Sequence, residues 1–122
     1  MPLVYEELSY EIRGALYEVF NTLGPGFREE TYKLAVVNEP TRRRIAFAFE
    51  VPFEIKYKDK VIDLYQADID VDDKVILELK AVDELHPRHT AQLISYLKAS
   101  GLRVGFLVNF GEEKLLIVRK VN

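Results

Sequence analysis

The sequence predicts a mixed α/β (α+β) fold, one central mixed sheet flanked by helices in the order α-α-β-β-β-α-β-β. Three observations carry it. Apolar residues recur at three- and four-residue steps up to a Gly24-Pro25-Gly26 break. Period-two alternation then takes over between Ile45 and Leu79. From Val75 to Phe110 a strand, a helix and a second strand follow one another, which predicts a parallel crossover.

Taken in order, Tyr5, Leu8, Ile12, Leu16, Val19 and Leu23 form the stripe of a first helix, and Gly24-Pro25-Gly26 ends it. A second helix begins near Arg28, with Glu29 and Glu30 in a first turn that favours carboxylates. It runs to about Asn38, where Pro40 stops it, and the basic run Arg42-Arg43-Arg44 follows. Phe47, Phe49, Val51, Phe53 and Ile55 alternate along a strand reaching Tyr57, and Pro52 within it suggests an edge or a bulge. After a turn at Lys58-Asp59-Lys60, Val61 leads into a hairpin. Pro87 suits the first turn of a third helix that stops at Gly101. Val104, Phe106, Leu107 and Val108 belong to a buried strand, and Leu115 to Val121 supplies the last one.

With 122 residues, 48% hydrophobic and 30% charged, the chain is expected to form one domain over residues 1–122. The absence of cysteine excludes disulfides, thiolate zinc sites and cysteine nucleophiles. No apolar run approaches membrane-spanning length, so a cytoplasmic protein without membrane contact is expected. A net charge of −3 counts against tight non-specific binding to nucleic acid.

The chemistry concentrates in the hairpin Tyr65 to Ala81. Setting Ile69 against Leu77 and Val71 against Val75 keeps apolar partners together and leaves Asp72-Asp73-Lys74 as a three-residue turn. That register places Asp68 across from Glu78, with Lys80 two residues along the same face. Facing carboxylates repel, and a hard divalent cation would resolve the conflict. Read alone, the same charges also describe an ordinary solvated hairpin face. On the third helix, Leu93, Ile94 and Leu97 supply the apolar contacts, while His89, Gln92 and Tyr96 share another stripe. Gln92 can bond water or phosphate and Tyr96 offers a ring for stacking; a half-exposed helix shoulder would look the same. Tyr32 lies one turn on from Glu29.

In combination, Asp68, Glu78-x-Lys80, Gln92-x-x-x-Tyr96 and the preceding Glu29 resemble the PD-(D/E)XK nuclease superfamily. Gly26-Phe-Arg-Glu29-Glu-Thr-Tyr32 resembles the signature of its GxxExxY family, as do Ala67-Asp68, Glu78-Leu-Lys-Ala-Val82, Ala91-Gln-Leu93, Tyr96-Leu-Lys98 and Asn109-Phe-Gly111. The resemblance implies a nuclease core and a magnesium or manganese ion held by Asp68 and Glu78, helped by the Leu79 carbonyl. Glu29 would add a ligand, through water if not directly. Lys80 would handle the nucleophile, Gln92 would touch water or substrate, and Tyr96, Tyr32 and His89 are the candidate substrate contacts. Three departures stand out: Ala67 replaces the superfamily's proline, Pro40 and Arg44 interrupt a smoother helix and glycine turn, and Phe20 occupies a frequent histidine position. The expected function is metal-dependent phosphodiester hydrolysis, with DNA as substrate. The alternatives are a non-catalytic nucleic-acid-binding or accessory module, with a homo-oligomer or protein partner, and a purely structural protein.

Overall fold

The computed structural model describes residues 5–41 and 44–122, so Arg42 and Arg43 of the basic run lie outside the described residues. Its elements are α1 (Glu6–Leu23), α2 (Glu29–Val37), β1 (Phe47–Tyr57), β2 (Lys60–Val71), β3 (Val75–Lys80), α3 (Pro87–Ser100), β4 (Val104–Asn109) and β5 (Leu116–Val121). Their order is the expected one, with boundaries moved by a residue or two. The strands stand in the sheet as β1-β2-β3-β4-β5. Among the described residues only β3 and β4 run parallel, the pair that α3 connects. Pro52 lies on β1, an edge strand, where a missing N–H is tolerated.

Each face of the sheet has its own core. Leu8, Ile12, Leu16 and Val19 of α1 and Tyr32 and Val36 of α2 pack on Ile69, Val71, Val75, Leu77, Leu79, Val104, Phe106 and Val108. Leu93 and Leu97 of α3 pack on Tyr65, Ala67, Ile76 and Leu107 of the opposite face. Ile94, expected among the α3 contacts, is only partly buried. Gly105 brings α3 close to β4, since a Cβ there would lie 2.8 Å from Leu93 Cδ1.

The predicted hairpin register holds, with Ile69 paired to Leu77 and Val71 to Val75. One feature of β1 and β2 departs from the alternation read along them. Ile69 and Val71 face α1 and α2, whereas Ala67 and Tyr65 face α3. On β1 Phe47 joins the first core while Phe53 and Ile55 join the second. Both strands therefore exchange faces midway. The register steps from Phe49–Ile69 to Val51–Ala67, leaving Glu50 and Asp68 unpaired between them. Glu50 has φ 59, the left-handed region that side chains other than glycine seldom adopt. Asp68 thus sits at an irregularity in the sheet, beside β3.

Candidate active site

Leu79 is buried in the α1/α2 core, so Glu78 and Lys80 on either side of it follow Ile76 toward the α3 face, at the end of β3. The β2–β3 ladder ends at Ile69–Leu77. Just beyond it, Asp68 Oδ2 accepts the Leu79 N–H at 2.7 Å, in place of a main-chain carbonyl. Asp68 is thereby fixed against the segment that carries Glu78 and Lys80. Glu78 Oε1 is buried and has no hydrogen-bond partner. Burial is the main reason its carboxyl is pushed up to about 7; Lys80, the Asp68 main-chain amide and Lys33 oppose the rise, and Glu29 adds to it.

The short chain segment after Lys80 is clamped. Asn109 Oδ1 accepts from the N–H groups of Val82 (3.0 Å) and Gly111 (3.1 Å), and its Nδ2 donates to Val82 O (2.9 Å) and Glu112 Oε2 (2.8 Å). The Phe110 N–H donates to Lys80 O at 2.8 Å. Gly111 leaves no room for a side chain: a Cβ would lie 2.6 Å from the carbonyl carbon of Ala81 and closer to the Val82 peptide. Asn109-Phe-Gly111 is therefore the seat on which the end of β3 rests.

Phe110 ties this seat to α2, because Tyr32 stacks on it at 4.3 Å between ring centroids. The Tyr32 hydroxyl donates to Gly24 O at 2.6 Å and accepts from the Phe27 N–H at 3.2 Å. Tyr32 is fully buried, so it has no surface with which to meet a substrate, contrary to the sequence-based expectation. It shapes the Gly24–Phe27 loop, in which Gly26 adopts φ 112, and so aims the start of α2 at the site. Glu29, the first residue of α2, is exposed and near enough to act on Glu78 and His89.

Lys33, absent from the sequence-based candidates, is the cation at the centre. Its Nζ lies 3.3 Å from Glu30 Oε2, 3.4 Å from Glu50 Oε1 and 3.8 Å from Asp68 Oδ1. Its ammonium is held above the ordinary lysine value because those carboxylates outweigh the opposing effect of burial, the largest single influence. The signal was present: Lys33 follows Tyr32 and precedes Val36 by three, on the side of α2 that is buried.

On α3, His89 Nδ1 accepts the His86 N–H at 3.1 Å, and His86 Nδ1 accepts the Arg88 N–H at 3.0 Å, so the two histidines cap the helix start. Desolvation and then the charge of Lys80 lower the His89 pKa, which places His89 near the site. Gln92 Nε2 and Tyr96 OH are 3.4 Å apart, and the Tyr96 ring stacks on Tyr65 at 3.6 Å. One face of Tyr96 is therefore occupied by Tyr65, while Gln92 is exposed.

Among the described residues no three His, Cys, Asp or Glu side chains form a preassembled metal cluster, so Glu29 does not complete one with Asp68 and Glu78. The two remaining carboxylates do fit a hard cation: one offers a buried, unbonded oxygen and the other is fixed beside it by a main-chain amide. No helix among the described residues is long and apolar enough to cross a membrane. No curated protein and no solved structure matches the chain. A family model does match it from residue 6 to residue 121, and its description is the PD-(D/E)XK nuclease superfamily.

Proposed function

The chain belongs to the PD-(D/E)XK nuclease superfamily, and on that premise we propose that it is a divalent-metal-dependent nuclease hydrolysing phosphodiester bonds in DNA. Nucleases of this superfamily generally use divalent metal ions. Within the superfamily we assign the chain to the GxxExxY family, whose signature Gly26 to Tyr32 has a physical role here in shaping the loop before Glu29. In this reading Asp68 and Glu78 hold magnesium or manganese with the Leu79 carbonyl, and Glu29 contributes through water. The ion would supply Lewis-acid stabilisation of charge on the phosphate. Lys80 positions the nucleophilic water, a role suited to an ammonium two residues from Glu78 on the same strand. Gln92, His89 and Tyr96 border the substrate from α3. Cytoplasmic placement belongs to the same proposal, and a second copy or a protein partner would widen the nucleic-acid contact.

The observation that carries this reading is the unbonded, buried Glu78 Oε1 beside Asp68 and Lys80. The test is cleavage of plasmid and oligonucleotide DNA with manganese, paired with calorimetric titration of the ion. Lys80→Ala is expected to lose about a hundredfold or more in cleavage while still binding manganese. Asp68→Asn is expected to weaken both. Wild-type cleavage by purified Lys80→Ala would defeat the assignment. The second reading, a non-catalytic nucleic-acid-binding or accessory module that keeps the fold, draws on the pairing of Asp68 with Lys33, which gives that carboxylate a partner without an ion. It predicts ion or DNA binding with the strand left intact.

A further inference from the structure

Three carboxylates from three elements converge on one ammonium that is almost out of solvent. The Lys33 side chain is 11% exposed, with Glu30 of α2 at 3.3 Å, Glu50 of β1 at 3.4 Å and Asp68 of β2 at 3.8 Å. We propose that Lys33 is a resident counter-ion of the carboxylate site, holding Asp68 while no ion is bound and releasing it when a divalent cation enters. This rests on the metal-binding reading above and adds to it the residue that sets the ion concentration at which the site loads.

The geometry makes such an exchange feasible. Asp68 is the most distant of the three partners, and its other oxygen is already engaged by the Leu79 N–H. Lys33 can therefore give up Asp68 and keep Glu30 and Glu50, so no buried ammonium is stranded; stranding one would be strongly destabilising. Glu50 reaches Lys33 from a backbone conformation of φ 59, opposite Asp68, where the β1–β2 pairing is interrupted. A non-glycine residue held there implies that its surroundings over-determine it. In this arrangement Glu50 is the partner that lets Lys33 part from Asp68. A unit charge and a divalent ion a few ångströms apart in a partly buried site repel by several kT, so Lys33 weakens ion binding while it protects the ion-free protein.

Isothermal calorimetry with manganese chloride tests this, together with melting temperatures in chelator and in manganese. Lys33→Met is expected to bind manganese about tenfold more tightly than wild type. Its melting temperature should fall in chelator and be restored by manganese through a larger shift than wild type shows. Lys33→Arg, which keeps the charge, should stay near wild-type affinity. Lys98→Met, a charge loss on exposed α3, should leave it unchanged. A Lys33→Met affinity equal to or weaker than wild type overturns the proposal, as does equal tightening by Lys98→Met. If Lys33→Met fails to fold, Glu50→Gln decides: it should bind manganese several-fold more weakly, and unchanged or tighter binding sinks the counter-ion role. Absence of binding in both wild type and Lys33→Met would remove the metal reading itself and this proposal with it.

Discussion

A carboxyl group that ionises near neutrality gives the ion-free protein a pH dependence of unusual sign. Glu78 moves from 4.5 to about 7, chiefly through burial. Between those values the folded chain binds more protons than the unfolded one, so stability is fully present below 4.5 and declines as pH rises through about 7. At about 1.4 kcal/mol for each pH unit between 4.5 and about 7, the decline is at most about 3.5 kcal/mol. His89 acts in the opposite sense: its lowered pKa withdraws stability as pH falls below the ordinary histidine value of 6.5. Comparison with a variant therefore isolates Glu78. Glu78→Gln, measured by urea unfolding in chelator at pH 5 and pH 8, is expected to be more stable than wild type at pH 8 by about 2 kcal/mol, with little difference at pH 5. An unchanged pH slope in the variant would show that another group carries it.

Among the elements, the end of β3 depends on atoms that no periodicity announces. Gly111→Ala would drive a methyl group into the peptides of Ala81 and Val82, and backbone cannot swing aside as a side-chain end can. A loss of more than about 2 kcal/mol in urea unfolding is expected and, on the role proposed for Lys80, weaker cleavage as that residue is displaced. Asn109→Ala would leave the Val82 and Gly111 amides without their acceptor, for about 1–3 kcal/mol. If both variants unfold like wild type, the clamp carries no load. The helices and the hairpin register were legible because pairings such as Ile69–Leu77 give one answer, and a slip by one would bury charge. The exchange of faces at Glu50 and Asp68 was not legible. Phe47 and Phe53 look equivalent in an alternating run, and a left-handed glutamate carries no local signature. The motif tyrosine was legible as a residue but not as a role, because only tertiary contact tells a packed hydroxyl from an exposed one.

At the scale of the whole molecule, charge decides how the site meets a polyanion. The chain carries −3, and the site gathers Glu29, Glu30, Glu50, Asp68 and Glu78 against Lys33 and Lys80. Before an ion arrives, this end of the protein repels phosphate, and at low salt the repulsion reaches about 10 Å or more. A divalent cation held by Asp68 and Glu78, as proposed, would reverse part of that sign. Nucleic-acid affinity is therefore expected to depend on the ion, unlike that of a basic binder, whose affinity rests on its own lysines and arginines. Fluorescence anisotropy with a labelled duplex, using Lys80→Ala to suppress cleavage, should show binding about tenfold tighter in manganese than in chelator at low salt. Adding Asp68→Asn should remove that gain and, by deleting a negative charge, slightly tighten binding in chelator. Equal affinity with and without manganese in Lys80→Ala would mean that the duplex is held elsewhere on the molecule, away from the carboxylates at the end of β3.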